Sequence, residues 1–310
     1  MCCDLHLHST ASDGTDAPEI LPVQARNAGL KALALTDHDT TAGLAACEES
    51  ARSINIHFVP GIELSADPMF IYPECDQLDE LESQQLQTAR LHILGYFIDY
   101  HATHLQKLQD RLVKARADRN PKMIHKLNEL GVKIDYNEVL EVAGTTQDGD
   151  DPSLIIGRPH IAQVMVNKGY VKSIHAAFAK YIGSSGAAYV SKDRLTVQET
   201  ITAIHQAGGL ACLAHPAQLG ITDHEELEHL VARMVDLGLN GIETIHSDHT
   251  PSDAHLYEKL AQRFNLINTG GSDYHGSRKS IKIGKPRVPI SVYEALAATW
   301  GKYHDNKPTR

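Results

Sequence analysis

Two histidines stand one residue apart near the N-terminus, in the segment DLHLHS at residues 4–9. In a strand, successive side chains point to opposite faces, so His6 and His8 would point to the same side. Two imidazoles on one face are suited to binding a metal ion. The chain holds 19 histidines in 310 residues, so about one such pair is expected by chance. The pair therefore indicates a metal site only if further ligand-type residues lie beside it.

Residues of the same chemical type recur where the other predicted strands end. The full set is His6, His8, Asp13, His38, Glu63, His92, His215, Asp273 and His275. Imidazole combined with carboxylate suits Mn, Fe or Zn, and the absence of cysteine from the set argues against a thiolate-rich structural zinc. Nine candidates exceed what one ion accepts. The sequence therefore predicts two or three divalent metal ions that share a bridging carboxylate.

The elements that would position these residues alternate between strand and helix. Strands are predicted at 5–8, 32–36, 56–62, 91–97, 210–214, 241–245 and 266–269. Helices are predicted at 17–28, from a cap at Thr40 to 51, and at 197–207, 225–237, 253–264 and 293–300. This alternation predicts βαβ units and a largely parallel sheet. Seven such strands favour an α/β barrel, in which functional groups lie at the C-terminal ends of the strands.

The pattern changes between residues 99 and 195, which are mostly helical and more basic, as in HLQKLQDRLVKARADRNPKMIHKLNELG. This predicts a helical subdomain at 99–195 inserted into a barrel formed by 1–98 and 196–310. The acidic stretch at 67–87 predicts a long polar hairpin or lid.

Composition limits the classes of function. The net charge of −10 argues against binding long nucleic acid, because such binding depends on Lys and Arg neutralising phosphates. It leaves room for a small phosphorylated substrate held by a local positive site. No apolar run approaches the ~20 residues that span a bilayer, and no signal pattern begins the chain. Five cysteines without paired spacing favour reduced thiols and a cytoplasmic location. We expect no membrane partner and a monomer.

Six motifs at the predicted strand ends resemble the polymerase and histidinol phosphatase (PHP) family of metal-dependent phosphoesterases. They are DLHLHSTASDG, LALTDHDT, GIELS, HILGY, LAHP and GGSDYHG, and they cover most of residues 1–98 and 196–280. The resemblance implies a distorted (β/α)7 PHP barrel. The insertion, with its GRPHIA segment, is similar to the branch of small bacterial phosphoesterases that act on nucleotides.

The resemblance also implies three ligand sets. One metal would take His6, His8, Glu63 and Asp273; a second would share Glu63 and add His92 and His215; a third would use Asp13, His38 and His275. The carboxylate of Asp13 stands where some family members have histidine, which favours manganese at the third position. Iron or zinc would also suit these ligands.

Other polar residues could contact the substrate, or could hold ligands and helices in place. Arg158 in GRPH is the best phosphate-contact candidate, because guanidinium binds phosphate through two parallel hydrogen bonds. His160, Arg119 and Lys192 could extend this positive site, although a solvated helix face would also explain the arginine. Asp37 could orient a ligand imidazole and Asp39 could cap a helix. The HSDH segment at 246–249 is more typical of a loop or helix cap than of a ligand pair.

The chemistry expected of this set is hydrolysis of a phosphate ester. A water that bridges the metals would become hydroxide near neutral pH and attack phosphorus, while Arg158 neutralises the phosphoryl oxygens. Asp273, His215 and His275 complete the predicted catalytic set; either histidine could protonate the leaving oxygen only if its metal bond is weak. The family branch implies the 3'-phosphate of adenosine 3',5'-bisphosphate as substrate, or the 5' end of a short phosphorylated RNA. Histidinol phosphate and a non-catalytic regulatory module are weaker alternatives.

Overall fold

The computed structural model describes residues 1–67, 91–145, 155–192 and 194–305. Almost all of the predicted hairpin or lid at 67–87 lies outside the described residues. The strands are β1 Cys2–Asp4, β2 Leu30–Leu35, β3 His57–Asp67, β4 Leu91–Tyr96, β5 Leu195–Thr196, β6 Leu210–Leu213, β7 Gly241–His246, β8 Ile267–Gly271 and β9 Val288–Pro289. They form one sheet in the order β8-β7-β6-β4-β3-β2-β1-β9, with β5 paired to β3.

The helices surround this sheet and form the insertion. They are α1 Leu21–Asn27, α2 Leu44–Ser53, α3 Thr103–Glu129, α4 Tyr136–Ala143, α5 Arg158–Asn167, α6 Ile174–Ala177, α7 Val197–Gln206, α8 His224–Asp236, α9 Pro251–Arg263 and α10 Ile290–Asp305. Several of them begin after a capping side chain: Thr196 before α7, Asp223 before α8 and Thr250 before α9 each accept a backbone N–H of the first turn. The predicted cap at Thr40 is wrong, because α2 begins only at Leu44.

The sheet closes into a barrel through the segment that follows β1. Leu5 donates its N–H to the carbonyl of Gly270 at 3.2 Å, and Asp273 donates to the carbonyl of His6 at 2.9 Å. On the other side, Thr36 donates to the carbonyl of Leu7 at 2.9 Å. Residues 5–8, predicted as a strand, therefore bridge β8 and β2, although regular pairing of β1 ends at Asp4.

The expectation of a largely parallel sheet holds except at β4 and at β9, which pairs antiparallel with β1. The pairs β1–β2, β2–β3, β6–β7 and β7–β8 are parallel, whereas β4 runs antiparallel to both β3 and β6. Sequence alternation does not reveal strand direction, because direction depends on where the chain crosses. The reversal brings the start of β4 to the barrel edge at which the parallel strands end.

The described residues form three apolar clusters. One fills the barrel interior around Leu5, Leu94 and Tyr96, and one lies between the barrel and its outer helices. The third lies within the insertion and runs from Met123 to Ala188. The insertion therefore has a core of its own, although the first half of α3 packs on the barrel cluster through Leu105 and Leu112.

Among the described residues, no helix is both long and apolar enough to span a membrane.

Candidate metal centre

The nine ligand-type residues meet at one end of the barrel, where the parallel strands end and β4 begins. His6 and His8 follow β1, His38 follows β2, and Asp273 and His275 follow β8, while the others come from the loop after Ser12, β3, the start of β4 and the end of β6. All are buried except His38 and His92, whose side chains are each 18% exposed. The structure thus brings together all nine residues that the sequence predicts as metal ligands.

Glu63 lies at the centre of this group. Its Oε1 is 2.7 Å from Nδ1 of His92 and 2.8 Å from Nε2 of His215. Its Oε2 is 2.9 Å from Nδ1 of His38 and 3.2 Å from Nε2 of His8. A single carboxylate that faces imidazoles on both oxygens has the arrangement needed to bridge two metal ions.

The other carboxylates face the imidazoles of the remaining sets. Asp273 Oδ1 is 3.3 Å from Nε2 of His8 and 3.6 Å from Nε2 of His6. Asp13 Oδ1 is 3.2 Å from Nε2 of His275, and its Oδ2 is 3.9 Å from Nε2 of His38. Asp273 thus faces the two histidines of the first implied set, and Asp13 faces the two of the third.

Several of these groups are unsatisfied without a cation. Nε2 of His6 and Nε2 of His8 approach to 3.1 Å, and Nδ1 of His92 lies 3.3 Å from Nε2 of His215. Oε2 of Glu63 is buried and accepts no hydrogen bond from the described residues, although Nδ1 of His38 lies 2.9 Å away. Buried polar groups are rarely left in this state, because each loses its hydration. Divalent cations would satisfy both the carboxylates and the imidazole lone pairs, so the residues present fit a multinuclear metal site.

The carboxylates are anionic in this environment. Burial favours their protonated form, but the histidines outweigh burial, with His38 the largest contribution at Glu63 and His275 a large one at Asp13. The pKa of each carboxyl is therefore held well below its ordinary range. The same holds for Asp273, where Lys279 and His275 oppose burial. Anionic carboxylates are the form that binds metal ions.

Glu243 on β7 is a member of the site that the sequence analysis missed. It is fully buried and accepts a hydrogen bond from Nδ1 of His6 at 3.1 Å and one from the N–H of His215 at 2.7 Å. Because Nδ1 of His6 donates a hydrogen bond to Glu243, Nε2 of His6 is left free to bind a metal. A glutamate inside the predicted buried strand GIETI was the signal that could have revealed it.

His246 also lies in the site, at the end of β7, whereas Thr250 caps the helix that follows. Its Nδ1 accepts the N–H of Asp248 at 3.1 Å, so the ring carries its proton on Nε2. That atom lies 3.8 Å from Oδ2 of Asp273. His246 is therefore placed beside a ligand carboxylate as an N–H group rather than as a ligand.

The two aspartates that flank His38 have supporting roles that the sequence did not predict. Asp37 accepts hydrogen bonds from the N–H of Ser9 at 2.8 Å and from the hydroxyl of Ser12 at 2.5 Å, so it holds the loop before Asp13 rather than an imidazole. Asp39 accepts hydrogen bonds from Arg116 and, at 2.9 Å, from Lys192. It therefore joins the barrel to the insertion.

A cavity of about 450 Å³ separates the metal-binding residues from the insertion. Arg158, Arg119 and Lys192, which the sequence nominated for substrate contact, all line it. His160 does not: it is 2% exposed, and its Nδ1 accepts the N–H of Gly157 at the start of α5. The substrate contact predicted for His160 is thus replaced by a helix cap.

The insertion side of this cavity is strongly cationic. The guanidinium of Arg119 is buried and donates to the amide oxygen of Asn120 at 2.7 Å, a neutral partner. Burial, with Arg116 and Arg158 nearby, lowers the pKa of Arg119 to about 9. Arg158 is held by the carbonyl of Ile182 at 3.2 Å and lies over the ring of Phe178 at 5.3 Å. Arg158 and Arg119 are therefore pre-oriented at the edge of the cavity.

Comparison with known proteins agrees with this geometry. The PHP domain family model matches residues 4–224. A phosphoribosyl 1,2-cyclic phosphate 1,2-diphosphodiesterase of Eggerthella lenta is 32% identical over 92% of this chain and 98% of its own. The 5'-3' exoribonuclease Rnm of Escherichia coli is 30% identical over 96% and 93%. A 3',5'-nucleoside bisphosphate phosphatase of Chromobacterium violaceum is 30% identical over 88% and 86%.

A solved structure shares the fold of this chain. A solved amidohydrolase structure from Chromobacterium violaceum superposes with a TM-score of 0.80 at 27% identity, covering 96% of both chains. The family match extends over more than half of the chain, and it includes seven of the nine predicted ligands, from His6 to His215, and the insertion between them. The chain therefore belongs to the PHP domain family and is a metal-dependent phosphoesterase.

Proposed function

We propose that this enzyme removes the 3'-phosphate of adenosine 3',5'-bisphosphate and yields AMP and phosphate. The observation that carries the proposal is a cavity with metal ligands on one side and cationic groups on the other. One phosphate of a bisphosphate would lie over the metal centre and the second against the insertion. The volume of about 450 Å³ is within the range of small-molecule sites.

The protein's own residues have distinct tasks in this reaction. Asp273 and Glu63 hold the imidazoles of their sets in place, and Arg158 donates to the phosphoryl oxygens as charge develops on them. Arg119 and Lys192 bind the second phosphate. His215 and His275 line the cavity, and either would act as the general acid only if its metal bond were weak and its cavity-facing nitrogen first took up a proton. When bound, two or three divalent ions, manganese in our proposal, would lower the pKa of water and polarise the phosphate.

A 5'-3' exonuclease acting on short 5'-phosphorylated RNA is the second candidate. The Rnm relative and the cationic insertion favour it, because the same groups would hold the 5'-phosphate. The relative from Eggerthella lenta adds a phosphoribosyl cyclic phosphate to the substrates worth assaying. We rank histidinol phosphate below these, since the relatives compared with this chain carry other names.

The test follows phosphate and AMP release from adenosine 3',5'-bisphosphate by the manganese-loaded protein. Asp273→Asn should abolish turnover, because it removes the anionic carboxylate that would bind the same metal as His6 and His8. Arg158→Ala should lower kcat/KM about 10- to 100-fold, the range for a lost charged hydrogen bond. The matched control is Arg52→Ala, since Arg52 is 77% exposed on α2 and should leave kcat/KM unchanged.

Release of nucleotides from a short 5'-phosphorylated RNA, with no release from the bisphosphate, would move the assignment to the exonuclease. Turnover that survives Asp273→Asn would contradict the metal-centre mechanism.

We further propose a monomer in the cytoplasm, with the barrel at 1–98 and 196–310 and the insertion at 99–195 as its two parts. Cys3, Cys47 and Cys212 are buried free thiols, which supports a reducing compartment.

A further inference from the structure

The turn Gly276–Arg278 directly follows the predicted ligand His275 and is fixed against the loop that carries Asp13. Ser277 donates its N–H to Oγ1 of Thr15 at 2.8 Å. Gly276 has φ +67°, and a Cβ at this position would lie 1.9 Å from the same oxygen. Only glycine allows this close approach. The turn, and with it Arg278, is therefore held in one place relative to the metal centre.

Arg278 extends from this turn into the cavity. Its terminal nitrogen Nη1 is buried and has no hydrogen-bond partner among the described residues. Such a donor is unfavourable in an empty site, because it has lost water without gaining an acceptor. The neighbouring Lys279 instead pairs with Asp273. Arg278 is thus the cation of this turn that remains available to a ligand.

The position of its turn shows which part of the cavity Arg278 faces, because the turn follows His275 and is bonded to Thr15, two residues after Asp13. Burial lowers the pKa of its guanidinium, and Asp13 is the acidic group that opposes this effect. Asp13 lies 3.2 Å from Nε2 of His275, within the third predicted ligand set. Arg278 therefore stands beside that set on the barrel side, whereas Arg158 belongs to the insertion.

We propose that Arg278 is a substrate-binding residue that grips the phosphoryl group over the Asp13, His38 and His275 set. A planar guanidinium with a free N–H matches the oxygens of a phosphate. With Arg158 on the opposite side, it holds the phosphate between the barrel and the insertion. This inference rests on the proposed function only in that the ligand is a phosphate.

The experiment compares the manganese-loaded wild type with Arg278→Ala, Arg278→Lys and Lys282→Ala. Lys282 is exposed in the same segment and serves as the matched control. Arg278→Ala should lower kcat/KM and weaken binding of inorganic phosphate, measured by calorimetry, each about 10- to 100-fold. Arg278→Lys should recover part of both, and free guanidinium should restore part of the activity of Arg278→Ala. Metal content, measured by elemental analysis, should match the wild type in all variants.

Two outcomes would overturn the proposal. Arg278→Ala could match Lys282→Ala in both kcat/KM and phosphate affinity, or it could lose metal, which would make Arg278 part of the metal site. Absence of turnover of any phosphate ester by the wild type would instead count against the proposed function. In that case phosphate affinity still decides: a weaker affinity in Arg278→Ala supports the role of Arg278, and an equal one rejects it.

Discussion

At the scale of single residues, hydrogen bonds to the protein set the form of the histidines that would bind metal. Nδ1 of His6 donates to Glu243, and Nδ1 of His275 donates to the carbonyl of Asp273 at 2.8 Å. Each ring therefore presents an unprotonated Nε2 to the centre. Glu243 also holds the N–H of His215. The buried carboxylate of Glu243 thus orients two predicted ligands, His6 and His215, from separate strand ends. We do not assign Glu243 as a metal ligand.

Glu243→Gln should therefore weaken metal binding while preserving the fold. Loss of the charge that orients His6 should lower affinity for manganese about 10- to 100-fold, the usual effect of altering a group that supports a ligand. Competition against a chelator with a known affinity measures this directly. Glu258→Gln, an exposed change on α9, is the control. Equal affinities in the two variants would show that Glu243 is not needed to orient the ligands.

At the scale of elements, two features place the insertion against the barrel. The helix α3 has 27 residues and is about 40 Å long, so it packs on the barrel at one end and in the insertion core at the other. Asp39, directly after His38, then pairs with Arg116 of α3 and with Lys192 beyond it. The backbone that positions a metal ligand is thus connected directly to the cationic side of the cavity.

Asp39→Asn should destabilise the protein by about 3–5 kcal/mol, because it leaves Arg116 and Lys192 buried without their charge partner. Asp39 has φ +56°, a conformation that asparagine also tolerates, so backbone strain is not the cause. Urea unfolding at pH 7 measures the change. Asp110→Asn replaces an exposed residue of α3, the helix that carries Arg116, and should alter stability by less than about 0.5 kcal/mol. A similarly small change in Asp39→Asn would mean that other contacts hold the insertion.

At the scale of the whole molecule, predicted ligands from six barrel strands or their ends converge on a single buried centre. Metal ions bound there would connect β1, β2, β3, β4, β6 and β8 in addition to their backbone hydrogen bonds. Folding also brings the carboxylates together, and their mutual repulsion is offset only by imidazoles or by cations. Metal binding should therefore contribute to stability as well as to catalysis.

Removal of metal should lower the melting temperature of the wild type. A ligand that binds only the folded state stabilises it by about 2.7 kcal/mol at a free concentration 100 times Kd. Calorimetry in chelator and in manganese would report this difference, which should shrink in Asp273→Asn because that variant lacks a ligand. Identical melting temperatures with and without chelator would contradict a metal-linked barrel.

Most of the metal centre was predictable from sequence, because it depends on local periodicity. His6 and His8 share a face of an extended segment, and the other candidates follow apolar runs whose ends a barrel must place together. The barrel and the phosphoesterase family were confirmed, and all nine predicted ligands meet at one edge. Their assignment to individual metals stays a prediction.

What only the tertiary structure decided depends on contacts between distant segments. The antiparallel direction of β4 follows from its pairing with β3 and β6, and no local pattern records it. Glu243 and Arg278 are single polar residues whose roles become visible only beside His6 and Asp13, and the partners of Asp39 come from residues 116 and 192. Sequence thus determined which residues could do the chemistry, because side-chain type and strand period are local. The supports and the cationic side of the cavity were decided by folding, because long-range packing brings them together.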